Sequence, residues 1–190
     1  EITTNTIVKT DSILRKRPDL KIKLGEIALS KIKVSYDSDG THLNSGISLE
    51  KLFISFTETN IPKQRIAINQ FALEGVKGGL TFGKYDRELN IKTPTQKLPD
   101  WNVTLTDASV KQVDFRFDDE NALRETRGID YRHLDIKELQ LEANNLKWNN
   151  TAFSGNIKSL SVKEQSGVDI KALQTDFMYS SNGVQLKKLY

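Results

Sequence analysis

The chain alternates apolar and polar residues in short groups over most of its length. Within the first groups the apolar positions lie two residues apart, which is typical of strands with one apolar side. Successive groups are separated by three residues, from Leu24 to Ile27 and from Leu29 to Ile32. A spacing of three reverses the apolar side, so we expect a tight turn or a bulge at 25–26 and at 30–31 that restores it.

The same arrangement returns 81 residues later along the chain. Eight apolar positions from Leu20 to Tyr36 align with eight from Trp101 to Phe117, and both three-residue steps recur. After a polar loop the match resumes one residue later, between 46–54 and 128–136. A fixed period predicts an array whose units share sheet edges. We therefore divide the chain into a leading segment (1–19), a first β repeat (20–100) and a second β repeat (101–190) of one elongated domain.

The pattern predicts strands and turns throughout, and no window shows a convincing helical period. Turns are expected at 37–40, at 47–52 and at 130–134, with at most a helical turn in the last two. The clearest hairpin joins strands at 170–179 and 184–189 through Ser181–Gly183, because Asn-Gly favours a tight turn. Further strands are expected near 53–57, 65–74, 79–84, 88–92, 135–142, 145–149 and 153–163.

The predicted fold class is all-β: an elongated, curled, antiparallel-rich sheet built from two repeats of about 81 residues. Amphipathic strands without helices to cover them leave two architectures, a two-sheet sandwich or one sheet bent into a gutter. The alternation continues up to Tyr190, so we expect the chain to be an internal fragment of a longer protein.

Composition narrows the function classes. The chain has 190 residues, 37% of them hydrophobic, a net charge of +3 and no cysteine. The apolar content indicates a folded chain, and the lack of cysteine argues against a disulfide-dense module. Lysine and arginine alternate with acidic residues instead of gathering in one basic stretch, which argues against a nucleic-acid partner.

No pattern of catalytic, metal-binding or cofactor-binding residues emerges, so we predict that the protein is not an enzyme. The segment Asp37–Gly40 resembles the start of a calcium loop but lacks the later ligands, and a hairpin turn is the better interpretation. His42 and His133, at equivalent places of the two units, are too few for a metal site without cysteine. The acidic run 118–120 is interpreted as a solvated loop. Trp101 fills an apolar position and is expected to pack, whereas Trp148 could also stack on a sugar.

Four segments resemble the TamB branch of the AsmA-like envelope proteins, in particular the long versions found in Bacteroidetes. They are Phe115–Glu120 (FRFDDE), Gly128–Ile136 (GIDYRHLDI), Ser154–Gly167 (SGNIKSLSVKEQSG) and Leu173–Tyr179 (LQTDFMY). The resemblance covers most of residues 20–190 and is strongest after 101. It implies a β-taco-like gutter in the periplasm, within a protein anchored to the inner membrane by a segment absent from this chain.

The resemblance also implies a function. The gutter would hold phospholipid acyl chains and carry them between the inner and outer membranes. A role in outer-membrane protein assembly is implied too, with assembly proteins as partners through regions missing here. The residues expected to line the trough are Ile22, Leu24, Ile27, Leu29, Ile32, Val34, Val103, Leu105, Val110, Val113, Phe115 and Phe117. The alternatives are a β-sandwich binding or adhesion module of a bacterial surface protein, and a purely structural spacer.

Overall fold

A computed structural model describes residues 23–85 and 100–190. These residues form a single eight-stranded sheet and contain no helix, so the all-β prediction is confirmed. The strands are β1 (Glu26–Ser38), β2 (Leu43–Asn60), β3 (Arg65–Phe82), β4 (Asn102–Asp119), β5 (His133–Trp148), β6 (Ala152–Glu164), β7 (Asp169–Ser180) and β8 (Gly183–Lys187).

The strands lie in the sheet in the same order as in the chain, with β1 and β8 at the two edges. Every neighbouring pair is antiparallel except β3 and β4, which run parallel over their full lengths. The sheet is open, and no second sheet packs against it within the described residues. The two-sheet sandwich is therefore not the architecture of this part of the chain.

The step predicted at 30–31 is an irregularity inside a long strand, whereas the turn or bulge predicted at 25–26 is absent and β1 begins there, at Glu26. Lys31 of β1 and Gln112 of β4 adopt positive φ, at 52° and 54°, between apolar groups three residues apart. Gly75 of β3 and Glu138 of β5 do the same, at 68° and 54°. The pairing of β1 with β2 keeps one register through Lys31, with Ser30 opposite Lys51 and Ile32 opposite Leu49. The predicted step at 30–31 is therefore a positive-φ residue inside a continuous strand, and neither a tight turn nor an extra bulge residue.

Several predicted turns are instead parts of continuous strands. The predicted turn at 47–52 is the middle of β2, and the separate strands at 65–74 and 79–84 are one strand, β3. The strands predicted at 135–142 and 145–149 likewise merge into β5. These errors share one cause: a change in alternation was taken for the end of a strand. The strand predicted at 88–92 lies outside the described residues.

The strand pairing can be compared with the sequence alignment of the two predicted repeats. The two are consistent from Leu29 to Val34, and they differ after the turn that follows β1. Val34 and its aligned residue Phe115 have the partners Ile47 and Ile136 on the following strand. The pairing thus makes Ile47 equivalent to Ile136, whereas the sequence alignment matched it to Ile129. The longer connection between β4 and β5 accounts for the difference. Superposition of the two whole units stays a prediction.

The hairpin predicted at the carboxyl end is confirmed, although its two loop residues are Ser181 and Asn182 and, of residues 181–183, only Gly183 adopts positive φ. β7 and β8 form a hairpin in which Ser180 pairs with Gly183, and Gly183 adopts a φ of 114°. Asp39 and Gly40 lie in the turn between β1 and β2, as expected for a hairpin connection.

The core is sparse for a sheet of this size. Among the described residues, the buried apolar side chains are Val76, Ala108, Val113 and Ala143, all on the central strands β3, β4 and β5. Most other apolar side chains of these three strands are half-buried. A sheet that buries so little leaves most of its apolar side chains partly open to a ligand or partner.

Candidate functional site

One side of the sheet carries apolar side chains in continuous rows across the strands. The longest row crosses seven strands, because each of its residues lies directly opposite the next in the strand pairing. Its members are Leu29, Leu52, Leu73, Val110, Leu141, Leu160 and Leu173. Directly paired side chains on one face contact each other, so the row is a continuous apolar strip.

Parallel rows lie on either side of this strip. One contains Ile27, Ile54, Phe71, Ala108, Ala143 and Ile157. Two more rows lie on the other side of the positive-φ residues. One contains Val34, Ile47, Phe115 and Ile136. The other contains Leu80, Phe117 and Leu134. We call the surface formed by these rows the apolar face.

The opposite side of the sheet is polar. The residues next to the leucine row along the strands are Ser30, Lys51, Glu74 and Lys111, which form a paired row of their own. Lys51 and Glu74 make an ion pair of 3.3 Å between Nζ and Oε2, and Lys111 approaches Glu142 at 3.4 Å. These pairs are exposed and add little stability, but they mark the face that water covers.

The predicted trough residues lie on two strands that share rows of the apolar face. Ile27, Leu29, Ile32 and Val34 are on β1, and Val103, Leu105, Val110, Val113, Phe115 and Phe117 are on β4. Leu24 precedes β1, and Ile22 lies outside the described residues. Exposure differs between the strands: Val34 on the edge is 54% exposed, whereas Val113 at the centre is 7% exposed.

The sequence analysis missed the contributions of the remaining strands. Leu52 and Leu73 connect the β1 and β4 sets, and Leu141, Leu160 and Leu173 extend the row beyond them. A signal was present: the three-residue step also occurs from Leu49 to Leu52, from Leu73 to Val76 and from Ile136 to Leu139.

A cleft of about 570 Å³ adjoins the apolar face at the end of the sheet near the β2–β3 turn. Leu24, Phe56 and Ile61 line it together with Lys23 and Lys63. Phe56 also belongs to an apolar row with Ile68, Leu105 and Leu146, so the cleft is continuous with the face. The Thr59 hydroxyl oxygen, buried in the same lining, has no hydrogen-bond partner among the described residues.

Aromatic side chains gather at the same end of the sheet. Trp148 pairs with Phe153, and Phe153 pairs with Tyr179 on the next strand. All three are exposed, Tyr179 by 59%. Trp101 is half-buried just before β4, in agreement with a packing role.

A buried polar cluster, which the sequence analysis did not find, lies at the other end of β4. Asp118, predicted to be in a solvated loop, is 7% exposed and belongs to the strand. It pairs directly with His133, which is 3% exposed, while His42 is exposed in the β1–β2 turn. The two histidines are therefore not equivalent, because the long β4–β5 connection covers only His133.

Both ring nitrogens of His133 face acceptors. Nδ1 lies 2.6 Å from Asp118 Oδ1, and Nε2 lies 3.2 Å from the carbonyl oxygen of Ala122. Arg116 adds a hydrogen bond of 2.7 Å to the second oxygen of Asp118. The hydrogen bond from His133 lowers the pKa of Asp118, Arg116 and Arg124 act in the same direction, and burial opposes them.

The cluster holds the β4–β5 connection against the polar side of the sheet. Asp130 accepts hydrogen bonds from the backbone nitrogens of Glu125 and Arg132, and Arg132 pairs with Asp119 at 3.0 Å. Because its buried groups satisfy one another, the cluster is structural. No group of side chains suited to a metal ion occurs in the described ranges.

Comparison with models of known families, with curated proteins and with solved structures finds no match to this chain. The likeness to the TamB branch therefore rests on the sequence motifs alone. The described residues also contain no helix that is both long and apolar enough to span a membrane.

Proposed function

We propose that the apolar face is a trough for phospholipid acyl chains in a bacterial envelope protein that transfers lipid between the inner and outer membranes. The leucine row across seven strands carries the proposal. A continuous apolar strip on an open sheet suits an extended chain better than a compact ligand. The resemblance to the TamB branch supplies the periplasmic setting and a role in outer-membrane protein assembly.

The energetics favour acyl chains as cargo. Each buried methylene contributes about 0.8 kcal/mol, so a fourteen-carbon chain gains roughly 11 kcal/mol when fully buried. The gain needs no specific contact, so the chain can shift along the face without a large barrier. Leu29 and Leu52 present the same apolar side chain on adjacent strands. An acyl chain therefore has similar binding energy at successive positions along the row.

The cleft beside the face gives the site two chemical parts. Lys23 and Lys63 line it together with Phe56, whose row continues into the apolar face. A phospholipid has the same division, with a charged headgroup and apolar chains. The two lysines outnumber the one carboxylate of the lining, Glu58, and lysine ammonium groups bind phosphate as point charges, so the cleft favours an anionic headgroup.

Photo-crosslinking tests the proposal directly. A benzophenone amino acid replaces Leu52 or Leu141 in protein produced in the bacterial periplasm, and mass spectrometry identifies the adducts after irradiation. We expect phospholipid adducts at both positions. The matched controls carry the same probe at Lys51, which precedes Leu52, or at Glu142, which follows Leu141. Both control residues lie on the polar side of the sheet.

Equal lipid adducts at the matched pairs, or none anywhere, would contradict the lipid trough. Adducts with protein alone would favour the structural spacer or a protein-binding module. Glycan adducts from a further probe at Phe153, which pairs with Trp148, would favour the adhesion alternative, because the exposed aromatic rings there can stack on sugars.

A further inference from the structure

Among the residues that the structure describes, the outer edge of β1 is a long strand edge without a neighbour. β1 has thirteen residues and no proline, and within residues 23–85 and 100–190 it pairs only with β2. The opposite edge is different, because β8 has only five residues. Proteins normally shorten, cover or interrupt such edges, since their free N–H and C=O groups pair readily with another strand.

β1 and β4 are built alike. Both carry a positive-φ residue at the same point of the apolar pattern, Lys31 in β1 and Gln112 in β4. Both pair on one side with the following antiparallel strand through equivalent residues: Leu29 lies opposite Leu52, and Val110 lies opposite Leu141.

The second edge of β4 has a neighbouring strand, which the corresponding edge of β1 lacks among the described residues. That edge of β4 is filled by β3, which runs parallel to it from the pair Arg65–Asn102 to the pair Phe82–Asp119. The positive-φ residues Gly75 and Gln112 fall at the same level of this ladder, between the pairs Glu74–Lys111 and Val76–Val113.

Burial follows the presence of this neighbour. Val34 and Tyr36 on β1 are 54% and 48% exposed, whereas their counterparts Phe115 and Phe117 on β4 are half-buried. The same apolar positions are therefore covered where a parallel strand lies beside them and open where none does.

We propose that the outer edge of β1 is a strand-addition site for an extended polypeptide that runs parallel to β1 and carries the β3 pattern. That pattern is alternating apolar residues with two three-residue steps, from Ile68 to Phe71 and from Leu73 to Val76, and glycine at the second step. Glycine suits the position because the step requires positive φ. The added strand would extend the leucine row by one member and complete the backbone hydrogen bonding of β1.

The test uses a synthetic peptide with the sequence of residues 65–82 and lipid-free protein. The chain contains no cysteine, so a single introduced thiol is unique. In the β3–β4 ladder Glu74 lies opposite Lys111, and the residue of β1 equivalent to Lys111 is Ser30, which is exposed. With oxidised glutathione as the two-electron oxidant, we expect Ser30→Cys protein to form a disulfide with the Glu74→Cys peptide, since directly paired strand residues lie within the Cα separation that a disulfide spans.

The register control is a peptide with Gln70→Cys, whose thiol would lie four residues away from position 30 along the strand. It should give little product. Similar yields from both peptides, or no product from either, would overturn the proposal. Disulfide dimers of the protein that exclude the peptide would instead indicate a second copy at this edge.

N-methylated peptides separate strand addition from apolar adsorption. One peptide carries methyl groups on the nitrogens of Lys77, Gly79 and Thr81, and the other on those of Gly78, Leu80 and Phe82. Alternate N–H groups of a strand point to opposite edges, so one set should weaken binding by about tenfold or more while the other has little effect. Equal effects of the two sets would contradict parallel strand addition. Neither outcome depends on lipid, so the result is independent of the proposed trough.

Discussion

The side chains of Asp118 and His133 show how one buried pair organises a long connection. Their 2.6 Å contact joins the end of β4 to the start of β5, and the second ring nitrogen holds the carbonyl group of Ala122. Removing one partner leaves the other buried and unsatisfied, which costs more than the hydrogen bond itself contributes.

We predict that Asp118→Asn lowers the free energy of unfolding by about 1–3 kcal/mol at pH 7. The asparagine keeps the shape of the side chain but loses the charge that His133 and Arg116 contact. Urea denaturation monitored by circular dichroism measures the change. The control is Asp39→Asn in the exposed β1–β2 turn, which should leave the midpoint unchanged.

The same pair predicts an acid-dependent loss of stability. The pKa of Asp118 is lower in the folded protein than in the unfolded chain, because His133 donates a hydrogen bond to its carboxylate. The stabilisation is therefore fully present above the unfolded value of about 3.9 and is lost as the pH falls towards the folded value. Urea midpoints measured between pH 6 and pH 3 should fall less steeply in Asp118→Asn than in the wild type. Parallel curves would contradict this role.

At the scale of the strands, glycine permits a close approach between β2 and β3. Gly78 has a φ of 151°, and a Cβ atom there would lie 2.0 Å from the carbonyl oxygen of Gly46 and 2.7 Å from the Cα of Ile47. Both obstacles are backbone atoms, so they cannot turn aside as a side chain could. The pairing of the two strands therefore depends on a residue without a side chain at this point.

We predict that Gly78→Ala destabilises the protein by about 1–3 kcal/mol, because the strands must separate to admit the methyl group. Gly46→Ala is the matched control on the facing strand, since a Cβ atom at Gly46 meets nothing within 4 Å. Thermal and urea denaturation of the two variants measure the difference. Equal destabilisation would show that strand propensity, and not the close approach, decides the result.

At the scale of the whole molecule, the sheet is open and has few buried apolar residues. A ligand that binds its apolar face can therefore raise the free energy of unfolding. A ligand that binds only the folded state stabilises it by RT ln(1 + [L]/Kd), which is about 2.7 kcal/mol at one hundred times Kd. The apolar face offers the area for such an effect, because its side chains remain half-exposed across the strands.

We predict that a phospholipid supplied below its critical micelle concentration raises the melting temperature in a concentration-dependent way. Leu160→Arg should abolish the rise because it places a charge in the leucine row, while its long side chain can still reach water from the open face. Ser159→Arg, on the adjacent and opposite-facing residue, should retain the rise. Loss of the rise in both variants would argue against a face-specific site.

The local pattern of the chain determined the strand content and the main irregularity of the strands. Two-residue alternation around Leu29 and Val110, with steps of three residues, depends only on neighbours in sequence. It therefore predicted the all-β class and the place of the irregularity at Lys31 correctly, although the irregularity is a positive-φ residue and not a bulge. Asn182-Gly183 likewise specified its hairpin, since the turn requirement is local.

Strand pairing was decided by the tertiary structure. Alternation defines which side of a strand is apolar but does not say which strand lies beside it, or in which register. The parallel pairing of β3 with β4 and the alignment of Leu73 with Val110 depend on contacts between residues far apart in the chain. The burial of Asp118 and His133 has the same origin, because only the folded β4–β5 connection removes these polar side chains from water.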